Sequence, residues 1–318
     1  MFKCHIDKKP NATEGFFDQK TFAVPSHKCV FKAESMDKRA IVTPIFLLAL
    51  ILITLPLQKT AHSAATITVN TTSDQLTNDA LCSLREAIIA ANSDSAVGGC
   101  NAGSGIDIIL FDANLSLPAT FTLSITGTGE DATQRGDLDI TSSLTITPAN
   151  ASQIGKITID GNASDRVFHI LNSAKVSING LIVQNGNPGS GNEGGGFLLA
   201  SQTQLTMNNA TIRNNSSLTG GVKTQGRFTL TNGTVENNQG GGITNDASIV
   251  TLNNVSLLNN SGGFAIRNQG NGGLIFDRGT IRGNPGGIYN TTATATLSNL
   301  EISQNSNSAI YNTGVVLS

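Results

Sequence analysis

Residues 82–86 read Cys-Ser-Leu-Arg-Glu, a thiol, a hydroxyl, a guanidinium and a carboxylate within one helical turn. A basic neighbour can hold a cysteine as the reactive thiolate. A nucleophilic cysteine also wants a base, usually histidine, and beyond residue 64 the only histidine is His169, in VFHI. If Phe168 and Ile170 face inward, His169 is an outward strand residue with a plain surface role. The same five residues fit a structural device better. Ser83-x-x-Glu86 has the spacing of a capping box. Leu84, Ala87, Ile88 and Ala91 then fall on one apolar stripe, and Asn92 is a C-terminal stop. The spacing predicts a short helix over 82–92.

A second polar cluster, GEDATQRGDLD, holds Glu130, Asp131, Asp137 and Asp139 around Arg135. Carboxylates at that density are candidates for Ca²⁺. The expectation is nevertheless a solvated loop leading into the Asp139 strand, with no metal and no cofactor. Hydrolysis of a glycoside needs two carboxylates across the scissile bond. From residue 195 on, the acids are Glu236, Asp246, Asp277 and Glu301. They are scattered, and no two share a column in neighbouring repeats. No catalytic residue is assigned.

The elements that must position these groups are set by a repeat. LTMNNATIRNN (205–215), FTLTNGTVENN (228–238), VTLNNVSLLNN (250–260), LIFDRGTIRGN (274–284) and ATLSNLEISQN (295–305) share one pattern. The triplets GGF (195–197), GGV (220–222), GGI (241–243), GGF (262–264) and GGI (286–288), then SAI (308–310), mark a second. Their third residues are spaced 25, 21, 21, 24 and 22 apart. A period near 22 reads as one solenoid coil per repeat. Apolar residues within a coil have the strand period of two. Leu205 and Met207, Phe228 and Leu230, Val250 and Leu252, Leu274 and Phe276, and Ala295 and Leu297 therefore form inward columns. Ile212, Val235, Leu257, Ile281 and Ile302 form another. Asn209, Asn232, Asn254 and Asn299, with Arg278 once, fall at one corner, where asparagine tolerates positive φ. Their side chains either hydrogen-bond along the stack as a ladder or serve only as turn formers. The outward threonines Thr206, Thr229, Thr251 and Thr296 suit a solvated strand face. Ile275 interrupts them, which argues against a flat ice-binding array. Less regular coils precede these, at 140–150, 155–162 and 166–186. The class is all-β: a parallel β-helix, right-handed by the general crossover preference, with a short N-terminal capping α-helix over its open end.

The N-terminal 64 residues differ in kind. IFLLALILITLPL (45–57), preceded by MDKR (36–39) and followed by AHSAA (61–65), has the layout of a secretory signal peptide. Residues 1–35 read as a segment upstream of the true start, 36–64 as the signal, and 65–318 as one β-helix domain with regular coils over 195–318. No membrane span remains once the signal is removed. From residue 64 the chain has 11 Lys and Arg against 17 Asp and Glu, a net charge of −6, which excludes a basic nucleic-acid footprint. It keeps two cysteines, Cys82 and Cys100. An even count in an exported chain favours a disulfide. A loop of about 18 residues would contribute roughly 3 kcal/mol. IYNTGVVLS (310–318) starts another coil and stops mid-strand, so a truncated C-terminus is expected.

CSLREAIIAAN (82–92), GDLDITSSLTI (136–146), ITIDGNASDRVFHI (157–170) and VSINGLIVQNG (176–186) together resemble bacterial exported proteins with a CSLREA domain at the mature N-terminus. The repeats over 195–310 are also similar to those of chlamydial polymorphic outer-membrane proteins, with the Phe of the F-x-x-N motif replaced by an aliphatic residue. Both resemblances imply an exported, pectin-lyase-like right-handed β-helix, and neither implies a reaction. The expected role is a secreted or cell-surface, adhesin-like or structural binding module without catalysis. Its partners would be an extracellular polysaccharide or a surface protein. The alternative is a carbohydrate-active β-helix, a polysaccharide lyase or glycoside hydrolase.

Overall fold

The structure, a computed structural model, describes residues 63–317. The segment 1–35 and the expected signal, up to residue 62, lie outside the described residues. The described chain is mostly β-structure, with 22 strands and one α-helix, Leu84–Ser93. Among the described residues no helix is long and apolar enough to cross a membrane.

The period-two pattern of each coil becomes a strand, and each strand pairs in parallel with its counterpart one coil on. Two sheets result, of fourteen and eight strands. In the larger, ten successive strands stack from Thr66–Val69 to Val315–Leu317. Leu205 pairs in register with Phe228, then Val250, Leu274 and Ala295. Met207, Leu230, Leu252 and Phe276 form the next buried row, and Ile212, Val235, Leu257 and Ile281 a third. Stacking identical positions lets every inward side chain meet apolar neighbours above and below, so about 22 residues per coil suffice for a continuous core. From Arg227 on, two strand segments run on as one ten-residue strand. Each bends at a left-handed residue, Asn232, Asn254, Arg278 or Asn299, with φ of 51–54°. The side chains of these corner residues lie at the surface.

The smaller sheet runs from Leu138–Ile140 through Phe168–Ile170, Phe197–Leu199, Val222–Thr224, Ile243–Asp246, Phe264–Gln269 and Gly286–Asn290 to Ile310–Asn312. Its register corrects one repeat. Ile243 pairs with Ile266, and Ile266 with Ile288, so Ile266 and not Phe264 holds the inward position. Successive inward residues after Val222 are then 21, 23, 22 and 22 apart. The triplet at 262–264 misleads because Ala265 takes the place that glycine holds in the other coils. Phe264 instead packs its ring against Tyr289, 5.1 Å between centroids.

The helix starts at Ser83, whose hydroxyl accepts from the Glu86 N–H while the Glu86 carboxylate accepts from the Ser83 N–H. Glu86 also accepts from the Thr77 N–H at 2.8 Å, which ties the preceding loop down. The helix runs past Asn92 to Ser93 and stops at Asp94, with φ 50°. Asn92 has a different job. Its amide donates to the Asp139 carbonyl at 2.7 Å and accepts from the N–H groups of Thr141 and Ser142. Leu84, Ala87, Ile88 and Ala91 are buried and face strands Thr66–Val69, Asp107–Phe111 and Leu138–Ile140, at the start of both sheets. Cys82 and Cys100 form a disulfide across a Cα separation of 4.7 Å, so neither thiol is free for catalysis.

Candidate functional site

Strand alternation on the eight-stranded sheet puts one row of side chains on the side away from the core. The aligned residues are Asp139, His169, Leu198, Lys223, Thr244, Arg267, Tyr289 and Tyr311. Neighbouring rungs are about 4.8 Å apart, so the row is a line of chemically varied groups about 34 Å long. Asp139, Lys223 and Thr244 in it are buried, and its last residue, Tyr311, is exposed. Tyr289 and Tyr311 stack with rings 5.0 Å apart and 4° from parallel. Arg267 lies 4.9 Å over the Tyr289 ring. Lys223 sits between Asp246, at 3.0 Å, and Glu193, at 3.6 Å.

At the covered end the row meets the loop 125–137, and here two of the four sequence-assigned acids change character. Asp137 and Asp139 are 2% and 0% exposed, so the loop is not simply solvated. Leu138–Ile140 is a strand of the sheet, and residues 131–133 lie over its outer side, with the Thr133 N–H on the Asp139 carboxylate. Glu130 and Asp131 stay nearer solvent. Glu130 turns inward on its own loop, accepting from the N–H groups of Ala132 and Arg135. Asp137 accepts from Arg166 Nη1 at 3.0 Å. Burial, with the neighbouring carboxylates of Asp139 and Asp165, pushes Asp137 up to about 8 against the pull of Arg166. Burial likewise raises Asp165. The four acids thus do not converge on one point.

A different set does. His169 Nδ1 lies 3.4 Å from Asp131 Oδ1 and 3.5 Å from Asp139 Oδ1. His169 is only 14% exposed at its side chain, which corrects the plain surface role. The sequence held the needed signal, because LDI (138–140) and FHI (168–170) are consecutive rungs. Their spacing of 30 residues falls outside the regular period of 22, which hid the alignment.

The loop is held from below by the helix. Arg85 is fully buried, pairs with Asp74 through Nε at 2.6 Å and Nη2 at 3.1 Å, and donates to the carbonyls of Thr133, Gly136 and Asp137. Gly136 has φ 65°, and a Cβ there would run into the Gly127 carbonyl oxygen. The Arg85 of the 82–86 cluster therefore holds the loop that carries Asp131 and Thr133.

The corner asparagines do not form one continuous ladder. Asn254 donates to Asn232 at 2.9 Å, whereas Asn209 donates to Asn179 and Asn299 to Asp277. The continuous ladder is elsewhere and buried: Asn215, Asn238, Asn260, Asn284 and Asn305 link Nδ2 to Oδ1 at 2.9–3.1 Å. Each Nδ2 also reaches a backbone carbonyl. A second ladder joins Asn245, Asn268, Asn290 and Asn312 at 2.7–2.8 Å. The asparagines of the first ladder end the N-N, G-N and Q-N pairs of the repeat, one residue after the left-handed position. That offset is their sequence signal. Both ladders are structural.

A polar groove of about 500 Å³ lies elsewhere, with Asp160, Asn162, Asn185, Asn214 and Ser216 in its lining. Its one acid already accepts from Gln184 and Asn185, so it offers no reactive group. Compared with protein-family models, curated proteins and solved structures, the chain matches none of them.

Proposed function

We propose that the protein is an exported or cell-surface right-handed parallel β-helix, of the CSLREA-domain kind, that binds an extended polymer as an adhesin-like module without catalysis. The observation that carries this reading is the accessible end of the outer row, Arg267, Tyr289 and Tyr311. That end spans about 10 Å, at one group per about 4.8 Å, which suits one or two units of a linear chain such as an extracellular polysaccharide. Tyr311, braced on Tyr289, supplies an exposed aromatic ring for a sugar, and Arg267, over the Tyr289 ring, a cation that favours an acidic sugar. The disulfide fits an oxidising, extracytoplasmic location. The helix Leu84–Ser93 acts as the lid of the solenoid's N-terminal end, which otherwise would expose core and strand edges.

Affinity electrophoresis of the purified protein on acidic and neutral polysaccharides tests the reading. Tyr311→Ala and Arg267→Ala should each weaken retention on the bound polymer. Thr206→Ala and Thr296→Ala, on the other sheet, should leave it unchanged. Equal retention for all four variants overturns the assignment of this row. The acid–histidine group at the covered end favours the second reading, a carbohydrate-active β-helix. Polymer cleavage that disappears in Asp139→Ala would establish that reading and exclude a purely binding role.

A further inference from the structure

We infer that Asp131, Asp139 and His169 form a binding site for a divalent first-row transition metal ion of the zinc class. One oxygen of each carboxylate and His169 Nδ1 all lie within 4.8 Å of one another. Asp139 is fully buried, and its Oδ1 has no hydrogen-bond partner; neither has His169 Nδ1. A buried carboxylate oxygen and a ring nitrogen that face each other without bonding are costly unless something bridges them. The spacing fits such a bridge. Tetrahedral zinc with bonds of about 2.0–2.1 Å sets its donors about 3.3–3.4 Å apart. The two nitrogen–oxygen separations, 3.4 and 3.5 Å, match that edge.

The surroundings hold the ligands as a metal site requires. Asp139 Oδ2 accepts from the Thr133 N–H at 3.0 Å, which aims Oδ1 at His169. The Thr133 hydroxyl donates to the Asp139 carbonyl at 2.8 Å and accepts from its N–H at 3.0 Å. Arg85, by holding the Thr133 carbonyl, anchors the same loop to the helix. Asp131 is 69% exposed at its side chain, so its carboxylate is free to swing onto an arriving ion. The donor set also selects the metal class. Ca²⁺ takes oxygen ligands in sixes to eights, whereas an imidazole with two carboxylates suits zinc-class ions. Glu130 and Asp137, which completed the acidic set read from sequence, are committed to backbone N–H groups and to Arg166. Three protein ligands leave a fourth position open to water.

Metal-stripped, tag-free protein is titrated with Zn²⁺ by calorimetry, and with Co²⁺ by visible absorption. The expected result is a single saturable equivalent, tetrahedral Co²⁺ bands and a rise in the thermal midpoint. His169→Gln should weaken Zn²⁺ binding by more than the roughly 10–100-fold that follows loss of an outer hydrogen-bond partner. Asp131→Asn provides the second variant, because its exposed side chain tolerates change without unfolding. Far-ultraviolet dichroism of both apo variants should equal that of the wild type. Absence of saturable Zn²⁺ binding, unchanged affinity in both variants, or tighter binding of Ca²⁺ than of Zn²⁺ overturns the site. Failure of polymer binding leaves these readouts untouched.

Discussion

Replacing Arg85 by methionine should open the loop 125–137 while leaving the distant coils folded. The guanidinium makes two bonds to Asp74 and three to loop carbonyls, all in a site closed to water. Methionine keeps most of the volume but strands Asp74, whose side chain is 4% exposed. Removing one partner of a buried ion pair costs about 3–5 kcal/mol. The Ile125 N–H still donates to Asp74 Oδ2, which places the expected loss toward the lower end. Coils of a solenoid contact only their neighbours, so the loss should be local. Amide hydrogen exchange in the strand Leu138–Ile140 and the loop before it should speed up by about two to three decades, at about 1.4 kcal/mol per decade. Exchange in Ile288 and beyond should not change. Adding Asp74→Leu should restore part of the protection, because it removes the stranded charge but not the three orphaned carbonyls. A loss below about 1 kcal/mol, or equal acceleration along the whole chain, would refute the clamp.

The ladder and the corners should respond differently to the same change. Asn238→Ala leaves the Asn215 amide and backbone N–H without their shared acceptor, and should cost about 2–4 kcal/mol in urea unfolding. Asn232→Ala removes an exposed corner side chain and should cost about 1 kcal/mol through its left-handed backbone; a reversed order would show that burial does not set the ladder's worth. Raised carboxyl groups make a pH prediction. Asp137, at about 8, and Asp165 bind protons in the folded state that the unfolded chain releases near its ordinary value of 3.8. Stability should therefore fall as pH rises from about 5 to about 8 in the presence of a chelator, and the double variant Asp137→Asn, Asp165→Asn should flatten that slope in thermal melts. Finally, Leu84→Asp or Ile88→Asp should expose the start of both sheets and aggregate the protein; a soluble, unaltered variant on gel filtration would count against the lid.

How much of the fold was legible follows from what a sequence period encodes. The columns at Leu205, Met207 and Ile212 repeat at fixed offsets, so alternation gave both their direction and their partners. The triplets failed at one point for a physical reason. A glycine pair marks where the backbone comes close to its neighbours, and at 262–263 that pair sits two residues before the close approach, where Ala265 stands instead. Residue type therefore gave the wrong register, and only the pairing of Ile243 with Ile266 corrects it. The asparagines show the same limit. The two adjacent asparagines at 214–215, 237–238 and 259–260 look equivalent in sequence. The left-handed residue throws its side chain to solvent, and the next one points into the stack, so burial rather than identity decides which forms the ladder.

The site was less legible because it is assembled across coils of unequal length. Glu130, Asp131, Asp137 and Asp139 are neighbours in sequence, which suggested one acidic cluster. In space they divide by strand alternation and by backbone capture, and Asp139 turns to a histidine 30 residues away. Local density of like charge is thus a poor guide where each carboxylate finds a different partner, a backbone N–H for Glu130 and Asp139, Arg166 for Asp137 and His169 for Asp131. The five residues 82–86 made the opposite impression, that of a reacting group. Each has instead a fixed partner: a disulfide for Cys82, a reciprocal cap for Ser83 and Glu86, an apolar contact for Leu84, and a salt bridge with three carbonyls for Arg85. Their chemistry is spent on holding the loop that carries Asp131 and Thr133, and through Thr133 it reaches a buried carboxylate that still has an oxygen to offer. The helix and the acid–histidine group are on this account one unit. Loosening Arg85 should weaken metal binding at Asp139 without altering a single ligand.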